Sequence, residues 1–241
     1  MIINEECIGC QVCVPYCPMG AISMDEAEGI AKIDQDECVE CGVCLRAEVC
    51  PVDAFVEEVH EWPRSVRVAF SNPLVVHKET RVPGRGTEEA KTTDVTGRFR
   101  RGLVGITAEM GRPGIGVRFY DVEKVAQAMA KTGVEFAGDN PVTHLMVDKS
   151  TGKLNDEVLN EKACSAMIES ITKVENIPEV IKALREVAPQ IESVFTLTIS
   201  TKLEADGSAL CEKPLEELEV PLYINGKVNV GLGRPLFKEE S

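Results

Sequence analysis

The stretch Cys7-Ile8-Gly9-Cys10-Gln11-Val12-Cys13-Val14-Pro15-Tyr16-Cys17-Pro18 decides how this chain is read, because a close copy follows it. The copy is Cys38-Val39-Glu40-Cys41-Gly42-Val43-Cys44-Leu45-Arg46-Ala47-Glu48-Val49-Cys50-Pro51. As spacings, the two are C-x-x-C-x-x-C-x-x-x-C-P and C-x-x-C-x-x-C-x-x-x-x-x-C-P. Eight of the ten cysteines fall inside them. Three thiolates at every third position can wrap one face of a compact iron–sulfur cube. The fourth, beyond a turn, is free to reach a different cube.

Over residues 1 to about 58 the chain resembles bacterial-type dicluster ferredoxins. The resemblance implies two 4Fe–4S clusters with crossed fourth ligands: Cys7, Cys10, Cys13 and Cys50 for one, and Cys38, Cys41, Cys44 and Cys17 for the other. Two departures stand out. Dicluster ferredoxins commonly carry Gly after the second cysteine of each triplet; Gly42 fits, but the first run has Gln11. The gap from Cys44 to Cys50 is also two residues longer than its counterpart. Neither removes a ligand. A disulfide framework would need an oxidising compartment, whereas the first residues, Met1-Ile2-Ile3-Asn4-Glu5-Glu6, are acidic and have no apolar run behind them. Structural zinc usually takes two separated ligand pairs rather than a triplet with a distal Cys-Pro.

The net charge of −14 is uneven. Residues 1–60 hold 13 Asp/Glu against only Lys32 and Arg46, a net −11, which leaves −3 for all the rest. An acidic electron carrier is expected to dock on a basic patch of its redox partner, with salt-dependent steering, although such a surface also simply aids solubility. It is a poor match for nucleic acid. No apolar run approaches a membrane span, and Arg100-Arg101 lies too deep in the chain for a twin-arginine signal. The expectation is a cytoplasmic protein.

Four regions are expected: a dicluster domain at 1–60, a connector at 61–102, an α+β domain at 103–205, and a tail at 206–241. In the first, Met1–Asn4 reads as a strand, residues 20–24 and 31–34 as a hairpin, and Asp53–Val59 as the matching strand of the second half. Ile8, Val12, Val39 and Val43 are expected to shield the cubes, and Tyr16 to be a small core aromatic or to lie against one. In the connector, Ser65–Phe70 alternates like a strand. A basic Gly/Arg/Thr-rich loop follows, containing Arg85, Lys91, Arg98, Arg100 and Arg101. It could bind an anion or a partner; the plainer reading is that its arginines pair with the acidic first domain.

From Leu103 the pattern becomes regular. Leu103–Ala108 and Ile115–Phe119 read as strands, and Val122–Thr132 as a helix with Asp121 as N-cap and Gly133 as stop. Val142–Asp148 and Cys164–Val174 read as strands, Ile177 to about Ala188 as a helix, and Val194–Ser200 as the strongest strand. The plan is a βαββαβ split-βαβ fold with both helices on one face. The turn Lys173-Val174-Glu175-Asn176-Ile177-Pro178-Glu179 resembles that of ACT-type regulatory domains, which implies small-effector binding and homo-oligomeric pairing through the sheet. Asn225-Gly226 marks a C-terminal hairpin. Cys164 and Cys211 read as buried or idle thiols, and His60, His77 and His144 receive no role.

Electron transfer is the functional expectation. Four thiolates per cluster leave no open iron for a substrate, and nearby carboxylates disfavour reduction, as in low-potential anaerobic carriers. The chain then serves as the ferredoxin-like subunit of a larger oxidoreductase. The alternative is a free carrier or sensor whose ACT-like domain binds an effector. No nucleophile–base pair, nucleotide fingerprint or flavin signature suggests catalysis by this chain alone.

Overall fold

A computed structural model describes residues 1–79, 81, 98–112 and 114–223. Strand β1 (Ile2–Ile3) pairs antiparallel with β4 (Phe55–Val56), joining the start of the cysteine repeat to its end. Between them, β2 (Ile22–Asp25) and β3 (Ile30–Ile33) form a hairpin. The Asp25 carboxylate accepts the backbone N–H groups of Ala27 and Glu28 and an ion pair from Lys32 at 2.6 Å, which closes the turn. The small core beneath these strands is Met1, Cys13, Ile22, Ala31 and Phe55. So thin a core, relative to its length of chain, calls for a metal or other staple.

Residues 65–70 are not a strand. Ser65–Ser71 is a helix, α1, in which Val66, Arg67 and Phe70 are buried. The period-2 pattern of Val66, Val68 and Phe70 also contains the helical pair Val66 and Phe70, one turn apart, and that pair enters the larger core. Just before the helix, the Pro63 carbonyl accepts from Val66 N–H and that of Glu61 from Ser65 N–H.

The larger core lies under a four-stranded antiparallel sheet made of β5 (Leu103–Met110), β6 (Glu135–Phe136), β7 (Ala166–Lys173) and β8 (Phe195–Thr201). Their spatial order is β8-β5-β7-β6. β5 pairs along its full length with β7, from Leu103↔Lys173 to Met110↔Ala166, and with β8 from Val104↔Thr201 to Met110↔Phe195. Helices α2 (Phe119–Ala130) and α3 (Ile177–Val187) cover one face: Val122, Val125, Ala126 and Met129 meet Val180, Ile181 and Leu184 over Val104, Ile106 and Ala108. The segment Glu212–Glu217 adds a short helix whose Leu215 is fully buried in the same core, together with Cys211.

Several local expectations are corrected here. Val142–Asp148 is not a sheet strand: Pro141–His144 is a helical turn, and Met146–Asp148 pairs with Lys153–Leu154 in a separate hairpin. Asn-Pro is the reason, since Asn140 Oδ1 accepts from Val142 N at 2.8 Å and Pro141 supplies the first helical residue. Of Ile115–Phe119 only Val117–Arg118 is extended, and it pairs with Lys162–Ala163 outside the main sheet. Asp121 is no N-cap. It is buried in the first turn of α2, where its carboxylate accepts from Glu192 N–H and Lys124 Nζ at 2.9 Å each. The Asn225-Gly226 hairpin lies outside the described residues.

The two halves of the chain are locked together by charge. Arg67 Nη1 donates to the carbonyls of Gln35, Asp36 and Cys38 at 3.1, 2.8 and 2.8 Å, while its Nε pairs with Glu161. Arg118 Nη2 bridges Asp36 and Glu37 at 2.7 and 2.8 Å, and Lys162 pairs with Glu37. Asp36 and Glu37 of the acidic first unit are thus paired by Arg118 and Lys162, while Arg67 holds its backbone carbonyls. Arg98, from the basic run, pairs with Asp139.

Candidate metal centres

Each triplet folds because its chain turns sharply twice. The residues flanking the second cysteine are left-handed in both copies: Gly9 and Gln11 around Cys10, with φ of 67° and 64°, and Glu40 and Gly42 around Cys41, with φ of 56° and 68°. Each copy therefore has one glycine and one side chain in a conformation that favours glycine. Gln11 takes the same left-handed turn as Gly42 at the matching position of the other copy. The symmetry continues past the Cys-Pro pairs, where Gly20 and Asp53 are left-handed at matching positions. Next to them, Ala21 N–H donates to Cys17 Sγ at 3.2 Å and Ala54 N–H to Cys50 Sγ at 3.3 Å. Ala31 N–H reaches Cys7 Sγ at 3.4 Å.

The repeat builds two cavities, of about 360 and 340 Å3 counting their open mouths. One is lined by Cys7, Cys10, Cys13 and Cys50, with Ile3, Ala31 and Phe55 behind them. The other is lined by Cys17, Cys38, Cys41 and Cys44, with Ile22, Ile33 and Val39. Each thus collects three thiols from one run and one from the other. All ten cysteines are free of disulfides. Among the described residues no three Cys, His, Asp or Glu side chains close in on a single-ion site. Four thiols around a cavity, backed by apolar side chains, are the donor set a 4Fe–4S cube takes.

The protein matrix bears unequally on these sulfurs. Burial pushes the Cys44 thiol up to about 11, and it raises Cys38 and Cys13 as well. Such thiols become thiolates only beside a cationic centre. Cys41 is the exception, brought down to about 6 chiefly by a hydrogen bond with Cys164, whose own proton is held more tightly. Cys164 itself is half-buried, and its N–H donates to Ser71 Oγ at 2.9 Å.

The expected shielding residues divide. Val39 is buried against the second cavity, but Ile8 and Val12 are 63% and 47% exposed beside the first, where Cys10 is also exposed. Tyr16 is half exposed and lines neither cavity. Arg85 and Lys91 lie outside the described residues, and Arg98 is committed to Asp139. Glu40 lines the second cavity. Burial works against its charge, but the Met1 ammonium at 2.6 Å, Arg64 at 2.5 Å and His60 at 3.2 Å outweigh burial and hold its carboxyl below the usual range.

Comparison with known proteins agrees with this geometry. Residues 6–54 match the model of the 4Fe–4S dicluster domain. The chain is 44% identical over 54 residues to the pyruvate synthase subunit PorD of Methanocaldococcus jannaschii, covering 22% of this chain and 59% of that protein. It is 39% identical over 62 residues to a ferredoxin of Rickettsia felis, covering 25% of this chain and 53% of that one. It is 39% identical over 54 residues to the indolepyruvate oxidoreductase subunit IorA of Thermococcus kodakarensis, covering 22% of this chain and 8% of that protein. The chain thus spans little more than half the length of the first two. The N-terminal unit is a dicluster ferredoxin domain carrying two 4Fe–4S clusters, and its chemistry is ferredoxin-like electron transfer. Among the described residues no helix is long and apolar enough to cross a membrane.

Proposed function

We propose that this protein is a cytoplasmic ferredoxin-like subunit that passes single electrons to or from a larger catalytic partner. The observation that carries the reading is the pair of four-cysteine cavities, each completed by a thiol from the other half of the repeat. Cys7, Cys10, Cys13 and Cys50 hold one cluster; Cys17, Cys38, Cys41 and Cys44 hold the other. When bound, the clusters supply one-electron relay chemistry, and with all four thiols of each set engaged the irons have no free position for a substrate. The chain's own residues set hydrogen bonding, charge and solvent access around the sulfurs. Two of the matched proteins are named as subunits, one of a pyruvate synthase and one of an indolepyruvate oxidoreductase, which supports a partner carrying the catalysis.

Electron exchange takes place at the first cavity, where Cys10, Ile8 and Val12 reach solvent beside Glu5 and Glu6. The second cavity is packed against the rest of the chain through Arg67, Arg118 and Lys162. We divide the chain at 1–60, 61–102, 103–205 and 206–241, with the third region and the basic run containing Arg85 and Lys91 as further docking surface. A second reading, a carrier whose ACT-like third region senses a small ligand, draws on the β8-β5-β7-β6 strand order, in which β8 is an edge among the described residues.

Anaerobic native mass spectrometry of the protein purified from its own host tests this. Co-purification with a large subunit in fixed ratio, with about eight irons per copy, is the expected result. A lone homo-oligomer with the same iron would favour the sensor, and zinc in place of iron would overturn both readings.

A further inference from the structure

Lys32 and Arg46 are the only Lys/Arg residues among the first sixty, and they are held in opposite ways. Lys32 lies on the hairpin and pairs with Asp25 at 2.6 Å and Glu28 at 3.2 Å. Arg46 has no carboxylate partner among the described residues. Its Nη2 donates to the Cys41 carbonyl at 2.8 Å and its Nη1 to Asn72 Oδ1 at 3.2 Å, both neutral acceptors. An uncompensated positive charge is thereby fastened to the backbone of a cysteine that lines the second cavity. The local sequence explains the contact. Arg46 closes the helical turn Val43–Arg46, its N–H donating to the Gly42 carbonyl at 3.0 Å, so its side chain folds back over Gly42. A Cβ at Gly42 would fall 2.6 Å from Arg46 Nη1, so the guanidinium occupies space that only a glycine leaves open. The first run has neither part of this arrangement: Gln11 stands where the second has Gly42, and Pro15 stands two residues after the third cysteine, where the second has Arg46.

Reduction adds one negative charge to a cluster, and cluster potentials follow local charge, hydrogen bonding and solvent exposure. A fixed cation beside one cluster therefore favours its reduced state, and the effect fades with distance and with salt. We propose that Arg46 raises the reduction potential of the cluster held by Cys17, Cys38, Cys41 and Cys44 and leaves that of the other cluster unchanged. This rests on the ligand assignment proposed above. It makes two near copies of one loop unequal as electron acceptors, through a guanidinium seated between Cys41 and Asn72.

The test is EPR-monitored spectroelectrochemistry of the full chain as isolated anaerobically, with Arg46→Gln and Arg46→Lys beside it and iron and sulfide measured in each. Arg46→Gln should lower one midpoint and leave the other in place, while Arg46→Lys, which keeps the charge, should recover most of the difference. Because Arg46 is exposed, the gap between Arg46→Gln and the wild type should narrow as salt is raised to about 1 M. Unchanged midpoints, an equal shift of both, an Arg46→Lys protein no different from Arg46→Gln, or a gap that salt leaves untouched would overturn the inference. Loss of about four irons on Arg46→Gln would overturn it too, since the guanidinium would then hold the loop together rather than set a potential. If Cys41→Ala kept both clusters, the ligand assignment itself would fall, a result distinct from failure of the Arg46 effect alone.

Discussion

Arg67 and Glu161 form an ion pair in which both side chains are nearly out of solvent, 5% and 13% exposed. The same guanidinium also satisfies the carbonyls of Gln35, Asp36 and Cys38. Removing one member of a buried pair leaves the other charge uncompensated, which typically costs about 3–5 kcal/mol. Arg67→Ala should therefore destabilise the protein by about that amount in denaturant unfolding. Because Cys38 sits on the loop that Arg67 fixes, one cluster should bleach faster than the other. Arg67→Lys should recover only part of the loss, since an ammonium cannot reproduce the guanidinium fork.

Gly9 and Gly20 share nearly the same left-handed backbone, with φ of 67° and 66°, but not the same surroundings. A methyl group at Gly20 meets nothing within 4 Å, so Gly20→Ala should cost only the conformational penalty of about 1–2 kcal/mol. At Gly9 it would fall 2.1 Å from the carbonyl oxygen of Gly29, a backbone atom that cannot swing aside. Gly9→Ala should cost clearly more and should lower iron content, whereas Gly20→Ala should retain full iron. Gln11→Gly should be neutral or mildly stabilising. Iron and sulfide assays alongside thermal unfolding check all three.

These positions mark what the sequence made legible and what it hid. The cysteine spacing announced both cavities, because ligand spacing in a short repeat is a local property. The strands Leu103–Met110 and Phe195–Thr201 and the helix Ile177–Val187 were readable from periodicity alone. Ser65–Ser71 was misread because its Val66 and Phe70 suit either a strand or a helix, and only the core they enter distinguishes the two. Pro141–His144 was misread because its apolar residues drew more weight than the Asn-Pro cap before them. Arg67 was not legible as the residue that fixes the Cys38 loop. Its role depends on contacts between distant segments, which no local pattern encodes.

Glu37 gives the contact between the halves a pH dependence. The Lys162 ammonium, against some burial, holds its carboxyl below the usual glutamate range, and Arg118 adds to the effect. A group with a lowered folded value contributes fully above its unfolded value and loses that contribution as pH falls through the folded one. Glu37→Gln should therefore speed anaerobic cluster loss relative to the wild type at pH 7 and at pH 5. The difference should close only below the ordinary glutamate value of about 4.3. Glu37 is 38% exposed, so added salt should also narrow the gap at pH 7. A difference that persisted unchanged at pH 3.5, a value set by roughly one unit below that reference, would remove Glu37 ionisation as its source.

Crossed ligation makes a prediction that single variants cannot test but pairs can. Cys17 follows the first triplet in sequence yet lines the cavity of the second, and Cys50 does the reverse. If each belongs to the cluster of its cavity, Cys17→Ala and Cys38→Ala remove the same cluster, and the double variant should keep the same half of the iron as either single one. Cys17→Ala combined with Cys7→Ala strikes both clusters and should leave almost none. Uncrossed ligation reverses the pattern: Cys17 with Cys7 would then be the harmless pair and Cys17 with Cys38 the devastating one. The decisive quantity is iron per chain across four proteins, and double-variant logic protects it from the general instability of any one of them. A weakened fold lowers iron in both doubles alike, whereas crossed ligation separates them by about a full cluster, on the order of four irons.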